Sequence, residues 1–184
     1  MLDDLKYAIR RIVSQFQKQP YDFLSERDIQ AVLFVELRNA LRHLLYTYEL
    51  NDQNKRFGFN EPIPIHPVTT EYFLSDGKQD RFDIAVLSED QDRTTAIWRQ
   101  PCRIAIEIKL WQPGYKDCSY RRDVKKLQGY QSYLHNHFSP ERKFTGIAML
   151  FVHPCAKVVL PPETSLEAYP GNGIALHFVT RECY

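Results

Sequence analysis

Residues 103–111 read RIAIEIKLW, an apolar stretch that carries Glu107 and Lys109 two positions apart. Successive residues of a β-strand point to opposite faces, so Glu107 and Lys109 share one face with Ala105, and isoleucines fill the other. A carboxylate and an ammonium group are costly to bury in such a strand unless they are paired or bind a ligand. The stretch therefore predicts a buried strand that carries a functional site.

The preceding strand candidate, residues 81–88 (RFDIAVLS), has the same alternation. Its residues at 81, 83 and 85 are expected on one face, opposite the side chains of Phe82, Ile84 and Val86. If the two strands are neighbours, Asp83 and Glu107 converge beside small side chains. Two such carboxylates form an oxygen site for a hard divalent cation, magnesium before zinc. A buried salt bridge with Lys109 that serves only packing is the alternative interpretation.

Helical periodicity marks three segments of the chain. These are residues 2–18, 25–44 and 119–137. Ser25 and Asp28 form a capping-box pattern at the start of the second helix, because a serine side chain accepts from first-turn amides.

The strand candidates are segments rich in β-forming residues. Residues 51–67 contain many Pro, Asn and Gly residues and are expected to form a loop. The strand candidates are residues 71–75, 81–88, 103–111, 145–153, 157–160 and 174–180. No repeat or change of composition divides the chain. We therefore expect one α/β domain over residues 1–184.

Asp83, followed by Glu107-Ile108-Lys109 on the next strand, resembles the motif of the PD-(D/E)XK nuclease superfamily, which has the restriction-endonuclease-like fold. The order of elements from about residue 24 to 153 is similar to the αβββαβ core of that superfamily, a central mixed β-sheet flanked by helices. The extra N-terminal helix and the C-terminal strands lie outside this core. The chain has Arg81-Phe82-Asp83, so the proline of the family motif is missing.

The resemblance implies that Asp83 and Glu107 ligate Mg²⁺, or Mn²⁺, with help from the backbone carbonyl of Ile108. Lys109 would orient or deprotonate the attacking water and stabilise the charge that develops on the phosphate.

The family also places an acid on the first helix of its core. We prefer Glu26 to Glu36, because Glu26 lies on the line of the apolar stripe and Glu36 lies on its flank. A first-turn acid that only favours the helix dipole is the alternative interpretation of Glu26.

The helix predicted over residues 119–137 carries the candidates for substrate binding. In the family this helix often supplies a Lys or Gln that faces the site or the phosphates, and Lys125 and Gln128 match that position. Arg121 and Arg122 add to a basic cluster that contacts phosphates or forms a solvated face, two interpretations of equal weight. Ser132 stands where the Q-x-x-x-Y motif of the RecB-like branch has tyrosine.

The resemblance implies a magnesium-dependent nuclease that hydrolyses phosphodiester bonds of DNA. RNA as a substrate and a homodimer as the active form stay open. The alternative function is a module on the same fold that binds nucleic acid or a protein without cleaving. The complete set of Asp83, Glu107 and Lys109 favours the enzyme.

The composition limits the classes of protein that fit. The chain is 43% hydrophobic and 26% charged, which excludes disordered, collagen-like and coiled-coil proteins. The net charge of +1 means that a DNA-binding surface must come from local clustering of basic residues. Four cysteines without a CxxC motif, no apolar run of about 20 residues and acids near the N-terminus predict a cytoplasmic protein without membrane contact.

Overall fold

The computed structural model of the protein describes residues 2–48, 55–56, 58, 60–73, 81–89, 100–113, 120–138, 143–156 and 174–179. In these ranges the chain is mixed α/β. The helices are α1 (Leu2–Lys18), α2 (Glu26–Ala40) and α3 (Tyr120–His137). The strands are β1 (Tyr46–Tyr48), β2 (Ile63–Ile65), β3 (Val68–Phe73), β4 (Arg81–Leu87), β5 (Cys102–Trp111), β6 (Thr145–Val152) and β7 (Ile174–Val179). Among the described helices, none has the length and apolar character needed to cross a membrane.

Helix α2 begins with the predicted capping box. The Ser25 side chain accepts the backbone N–H of Asp28, and the Asp28 carboxylate accepts the backbone N–H of Ser25 at 2.8 Å. The helix ends at Ala40, four residues before the predicted end. Its first residue, Glu26, therefore lies at a capped helix terminus.

The main sheet has the strand order β3-β4-β5-β6-β7. Strands β3, β4 and β5 are antiparallel neighbours, whereas β5, β6 and β7 run parallel, so the sheet is mixed. Strand β5 is buried along most of its length, as its apolar sequence predicts.

Three predicted segments differ from the structure or lie outside it. Strands β1 and β2 pair in a separate two-stranded sheet, so the predicted loop over residues 51–67 contains a strand. Pro64 in β2 hides this strand from the sequence pattern, because proline is tolerated only where no ladder N–H is needed. Strand β3 begins three residues before the predicted segment. The predicted strand over residues 157–160 lies outside the described residues.

Hydrophobic cores cover both faces of the main sheet. Helices α1 and α2 contribute to the core on one face, which contains Ile104, Ile106 and Ile108 of β5. Helix α3 packs on the other face, where Ala105 belongs to the second core. The alternation predicted for residues 103–111 is confirmed.

The β3–β4 ribbon changes faces part-way along its length. Val68 and Val86 face each other in the core beneath α1 and α2, whereas Tyr72 and Phe82 face each other in the core beneath α3. Strict alternation would place all four side chains on one face. The prediction that Phe82 shares a face with Val86 is therefore wrong.

The change of faces occurs at Glu71 on β3 and Asp83 on β4. Glu71 has a φ of 51°, which lies in the left-handed region of backbone conformation. Residues other than glycine rarely adopt this region. The register pairs Thr70 with Ile84 and Tyr72 with Phe82, but does not pair Glu71 with Asp83. A local break in the ladder thus turns the ribbon over at Asp83.

Candidate functional site

Strands β4 and β5 separate at one end, and the predicted site residues lie there. The antiparallel register of the two strands reaches Ile84 and Ile106 and goes no further, whereas β5 stays paired with β6 as far as Trp111. Asp83 and Glu107 are the next residues on β4 and β5 beyond this register. We call the place formed by Asp83 and residues 107–109 the strand fork.

Asp83 is held by hydrogen bonds that lie outside the regular ladders. Its Oδ2 accepts the backbone N–H of Ile108 at 2.7 Å, and its backbone carbonyl accepts Nε2 of Gln30 from α2 at 2.6 Å. An extended residue directs its N–H and C=O to the same side, so the carbonyl of Ile108 also faces the fork. The Asp83 side chain thus bridges the gap between the two strands.

Glu107 is buried beside a lysine of α3. Only 2% of Glu107 is exposed, and its Oε1 lies 2.7 Å from Nζ of Lys126. The same ammonium group donates to the backbone carbonyl of Arg81 at 2.7 Å and lies over the ring of Phe82. Lys126 therefore connects α3 to both strands of the fork and places a positive charge beside Glu107.

Lys109 lies between two acids from different helices. Its Nζ is 3.2 Å from Oε2 of Glu26 and 3.8 Å from Oδ2 of Asp123. The other oxygen of Glu26 accepts the backbone N–H of Leu110 at 3.3 Å. The structure thus brings Glu26 to the fork, whereas Glu36 forms an ion pair with Arg11 of α1 at 3.2 Å.

Burial shifts the titration of the acids at the fork. It raises the pKa of Asp83 to about 6, although the Ile108 hydrogen bond opposes the shift. Burial, together with repulsion from Asp83, raises the pKa of Glu107 to about 8, against the attraction of Lys126. The pKa of Asp123 is also raised by burial. Taking a carboxylate out of water disfavours its charged form.

The pKa of Lys109 shifts for a different reason. Burial on its own lowers the pKa of Lys109, but the carboxylates of Asp123 and Glu26 more than offset it, and the net pKa is raised. These two acids therefore keep the Lys109 ammonium charged and hold it in one place.

The oxygen atoms at the fork fit a hard cation in their chemistry. Asp83, Glu107 and the Ile108 carbonyl supply carboxylate and carbonyl oxygens, which magnesium prefers. The buried Oε1 of Glu107 has the ammonium of Lys126 as its partner at 2.7 Å. No three His, Cys, Asp or Glu side chains within the described ranges are grouped to hold a metal ion. Any remaining positions would fall to solvent, as is usual for Mg²⁺.

Three of the predicted substrate-binding residues have described side chains on α3. Lys125 and Arg122 are exposed, and Gln128 is half-buried. Only the backbone of Arg121 is described. Sequence reasoning did not single out Lys126.

Sequence reasoning also missed Asp123 on α3. The buried stripe of α3 runs through Asp123, Leu127, Tyr130 and Leu134 at spacings of four, three and four residues. This spacing could have revealed the inward face of the helix, and with it Asp123 and the adjacent Lys126.

Comparison with models of protein families, with curated proteins and with solved structures finds no match for this chain. Functional inference therefore depends on the geometry of the fork and on the residues that form it.

Proposed function

We propose that the protein is a magnesium-dependent nuclease that hydrolyses phosphodiester bonds of DNA. The observation that carries this proposal is the strand fork, where Asp83, Glu107 and Lys109 lie together with Glu26. The order α2-β3-β4-β5-α3-β6 and the mixed sheet support assignment of these elements to a restriction-endonuclease-like core. Such an assignment makes the chain a candidate member of the PD-(D/E)XK superfamily.

The residues of the fork divide the chemistry between them. Asp83, Glu107 and the Ile108 carbonyl would hold Mg²⁺, which supplies Lewis-acid polarisation of a phosphoryl oxygen. A cation there would compete with Lys126 for the charge of Glu107. Lys109 stabilises negative charge that develops on the phosphate, because a preorganised cation needs no rearrangement during the reaction.

Glu26 acts on Lys109 and on the strand that carries it. One of its oxygens pairs with the Lys109 ammonium, and the other accepts the Leu110 N–H. This double contact keeps the Lys109 side chain beside the fork. It also explains how an acid at a helix start can serve a site on a neighbouring sheet.

A non-cleaving module that binds nucleic acid or protein is the second candidate function. The observation in its favour is that both carboxylates already have partners within the chain. Glu107 has the ammonium of Lys126, and Asp83 has the N–H of Ile108, each at 2.7 Å. A buried cluster balanced in this way can serve structure without a metal.

Cleavage of supercoiled plasmid and of single-stranded DNA and RNA, with Mg²⁺, Mn²⁺ or EDTA, separates the two functions. We expect cleavage with either metal, no cleavage in EDTA, and loss of cleavage in Asp83→Asn and Glu107→Gln. Glu36→Gln is the matched control, because Glu36 pairs with Arg11 on α1. DNA binding without cleavage under every metal would favour the binding module. Cleavage that survives in Asp83→Asn and Glu107→Gln would contradict the proposed site.

A further inference from the structure

Asp83 occupies a gap in both ladders that flank β4. On one side, the β3–β4 register omits the pair of Glu71 and Asp83, although the pairs before and after it are formed. On the other side, the β4–β5 register ends at Ile84. Two hydrogen bonds from outside these two ladders contact Asp83, one at its backbone carbonyl and one at its carboxylate.

One of those hydrogen bonds comes from Gln30, one helical turn after Glu26 on α2. Its Nε2 lies 2.6 Å from the Asp83 carbonyl and 3.3 Å from Oε1 of Glu71. Both partner atoms are acceptors, so the amide nitrogen is the group that satisfies them. A single side chain thus ties α2 to β3 and β4 at the gap.

Glu71 is the strained residue of this arrangement. A left-handed backbone is costly for a residue that carries a side chain, and glycine adopts it without that cost. The Glu71 carboxylate accepts the amide of Gln30 and lies 4.0 Å from the guanidinium of Arg81. Strain that is held by the surrounding contacts is concentrated at functional sites.

The strained backbone at Glu71 lies where the β3–β4 ribbon changes faces. Phe82 packs beneath α3 and Ile84 packs beneath α1 and α2, so Asp83 lies where the strand turns over. Its side chain reaches the β5 backbone at Ile108 and bridges the two strands. In a regular strand the same side chain would stand perpendicular to the sheet.

We infer that Gln30 and Glu71 are positioning residues for Asp83. They hold the β4 backbone out of the ladder, and the Asp83 carboxylate is thereby directed into the strand fork. The role of this carboxylate in nuclease activity rests on the proposed function. The placement of this carboxylate beside Ile108 does not depend on the proposed function. Placement and catalytic role can therefore be tested separately.

Hydrogen exchange of the Ile108 amide, followed by NMR on the whole chain, measures the placement of Asp83 directly. We expect Gln30→Ala to speed this exchange at least about tenfold relative to the amides of Ile106 and Ile147. Gln112→Ala is the matched control, because it also removes a glutamine bond to a backbone carbonyl, that of Leu24. An unchanged Ile108 rate in Gln30→Ala, or equal acceleration of all three amides, would overturn the inference.

Glu71→Gly separates positioning from ordinary structural support. Glycine adopts the left-handed backbone without strain, so we expect the melting temperature to stay the same or rise. Protection of the Ile108 amide from exchange should fall. A purely structural role would move the two measurements together, and that result would count against the inference.

The double variant Gln30→Glu/Glu71→Gln tests which hydrogen bond matters. It allows a contact between residues 30 and 71 with donor and acceptor exchanged, but leaves the Asp83 carbonyl without its amide donor. We expect Ile108 protection to remain low. Full recovery would show that the bond from Gln30 to Asp83 is not needed.

If the parent cleaves DNA, Gln30→Ala and Glu71→Gly should lower kcat about 10- to 100-fold with little change in KM, since small misplacement of a catalytic group has effects of this size. If the parent does not cleave, the proposed function fails and the exchange rates still decide the positioning role. Unchanged kcat together with reduced Ile108 protection would overturn the catalytic part of the inference.

Discussion

Nζ of Lys126 lies 2.7 Å from Oε1 of the buried Glu107, whereas the neighbouring Lys125 is exposed. One residue along a helix is a rotation of about 100°, so adjacent lysines face different surroundings. The pair therefore provides a matched comparison of an inward and an outward positive charge on the same helix.

Lys126→Ala should destabilise the metal-free protein at pH 9 by about 3–5 kcal/mol, because Glu107 is ionised above its pKa of about 8 and loses its buried counter-charge. Lys125→Ala should change the free energy of unfolding by no more than about 0.5 kcal/mol. Urea unfolding of both variants in EDTA measures the difference. Equal effects of the two substitutions would contradict the inward placement of Lys126.

The stability of the metal-free protein should fall as the pH rises from about 4 to 8. The folded pKa values of Asp83 and Glu107, about 6 and about 8, exceed their ordinary values of 3.8 and 4.5. At these two groups the folded chain therefore binds more protons than the unfolded chain in this window, and their contribution favours unfolding as the pH rises.

Glu107→Gln should flatten the upper part of this pH profile. Asp83→Asn should flatten the lower part and move the upper part to lower pH, because it removes the repulsion that helps to raise the pKa of Glu107. The free energy of unfolding, measured by denaturant titration in EDTA at several pH values, gives both slopes. Profiles that run parallel to that of the parent would contradict the assigned shifts.

Lys109→Ala should lower the single-turnover cleavage rate by about 10²- to 10³-fold, which corresponds to about 3–4 kcal/mol of barrier. The affinity for metal and for DNA should change far less, because Asp83 and Glu107 remain. Lys109→Met keeps the length of the side chain and removes only the charge, so it controls for packing. If both variants cleave like the parent, the activity does not come from the strand fork.

The exposed basic residues of α3 should contribute to DNA affinity through interactions with phosphates. Arg122→Ala/Lys125→Ala should weaken binding at every sequence and flatten its salt dependence by roughly 0.9 in log–log slope for each phosphate that is no longer neutralised. Lys143→Ala is the control, since Lys143 is exposed just before β6, at the end of the sheet away from Lys109. Unchanged affinity in the double variant would assign these residues to a solvated face.

Features that depend on near neighbours along the chain could be predicted from the amino-acid sequence. The alternation in residues 103–111 predicted the faces of β5 and the burial of Glu107, because a period of two assigns faces within one strand. Ser25 and Asp28 predicted the start of α2 in the same way, since the capping box joins residues three apart.

Packing between distant segments decides which side of the sheet receives Phe82 and which lysine of α3 meets Glu107. The left-handed backbone at Glu71 lies on β3, where the ribbon turns over. The alternation of residues 81–88 on β4 cannot predict it, because the two segments are different strands. The rotation of α3 is set by how Leu127 and Tyr130 pack against the sheet, and it directs Lys126 inward. Both outcomes depend on contacts between segments far apart in sequence, and a local pattern does not record the packing that selects them.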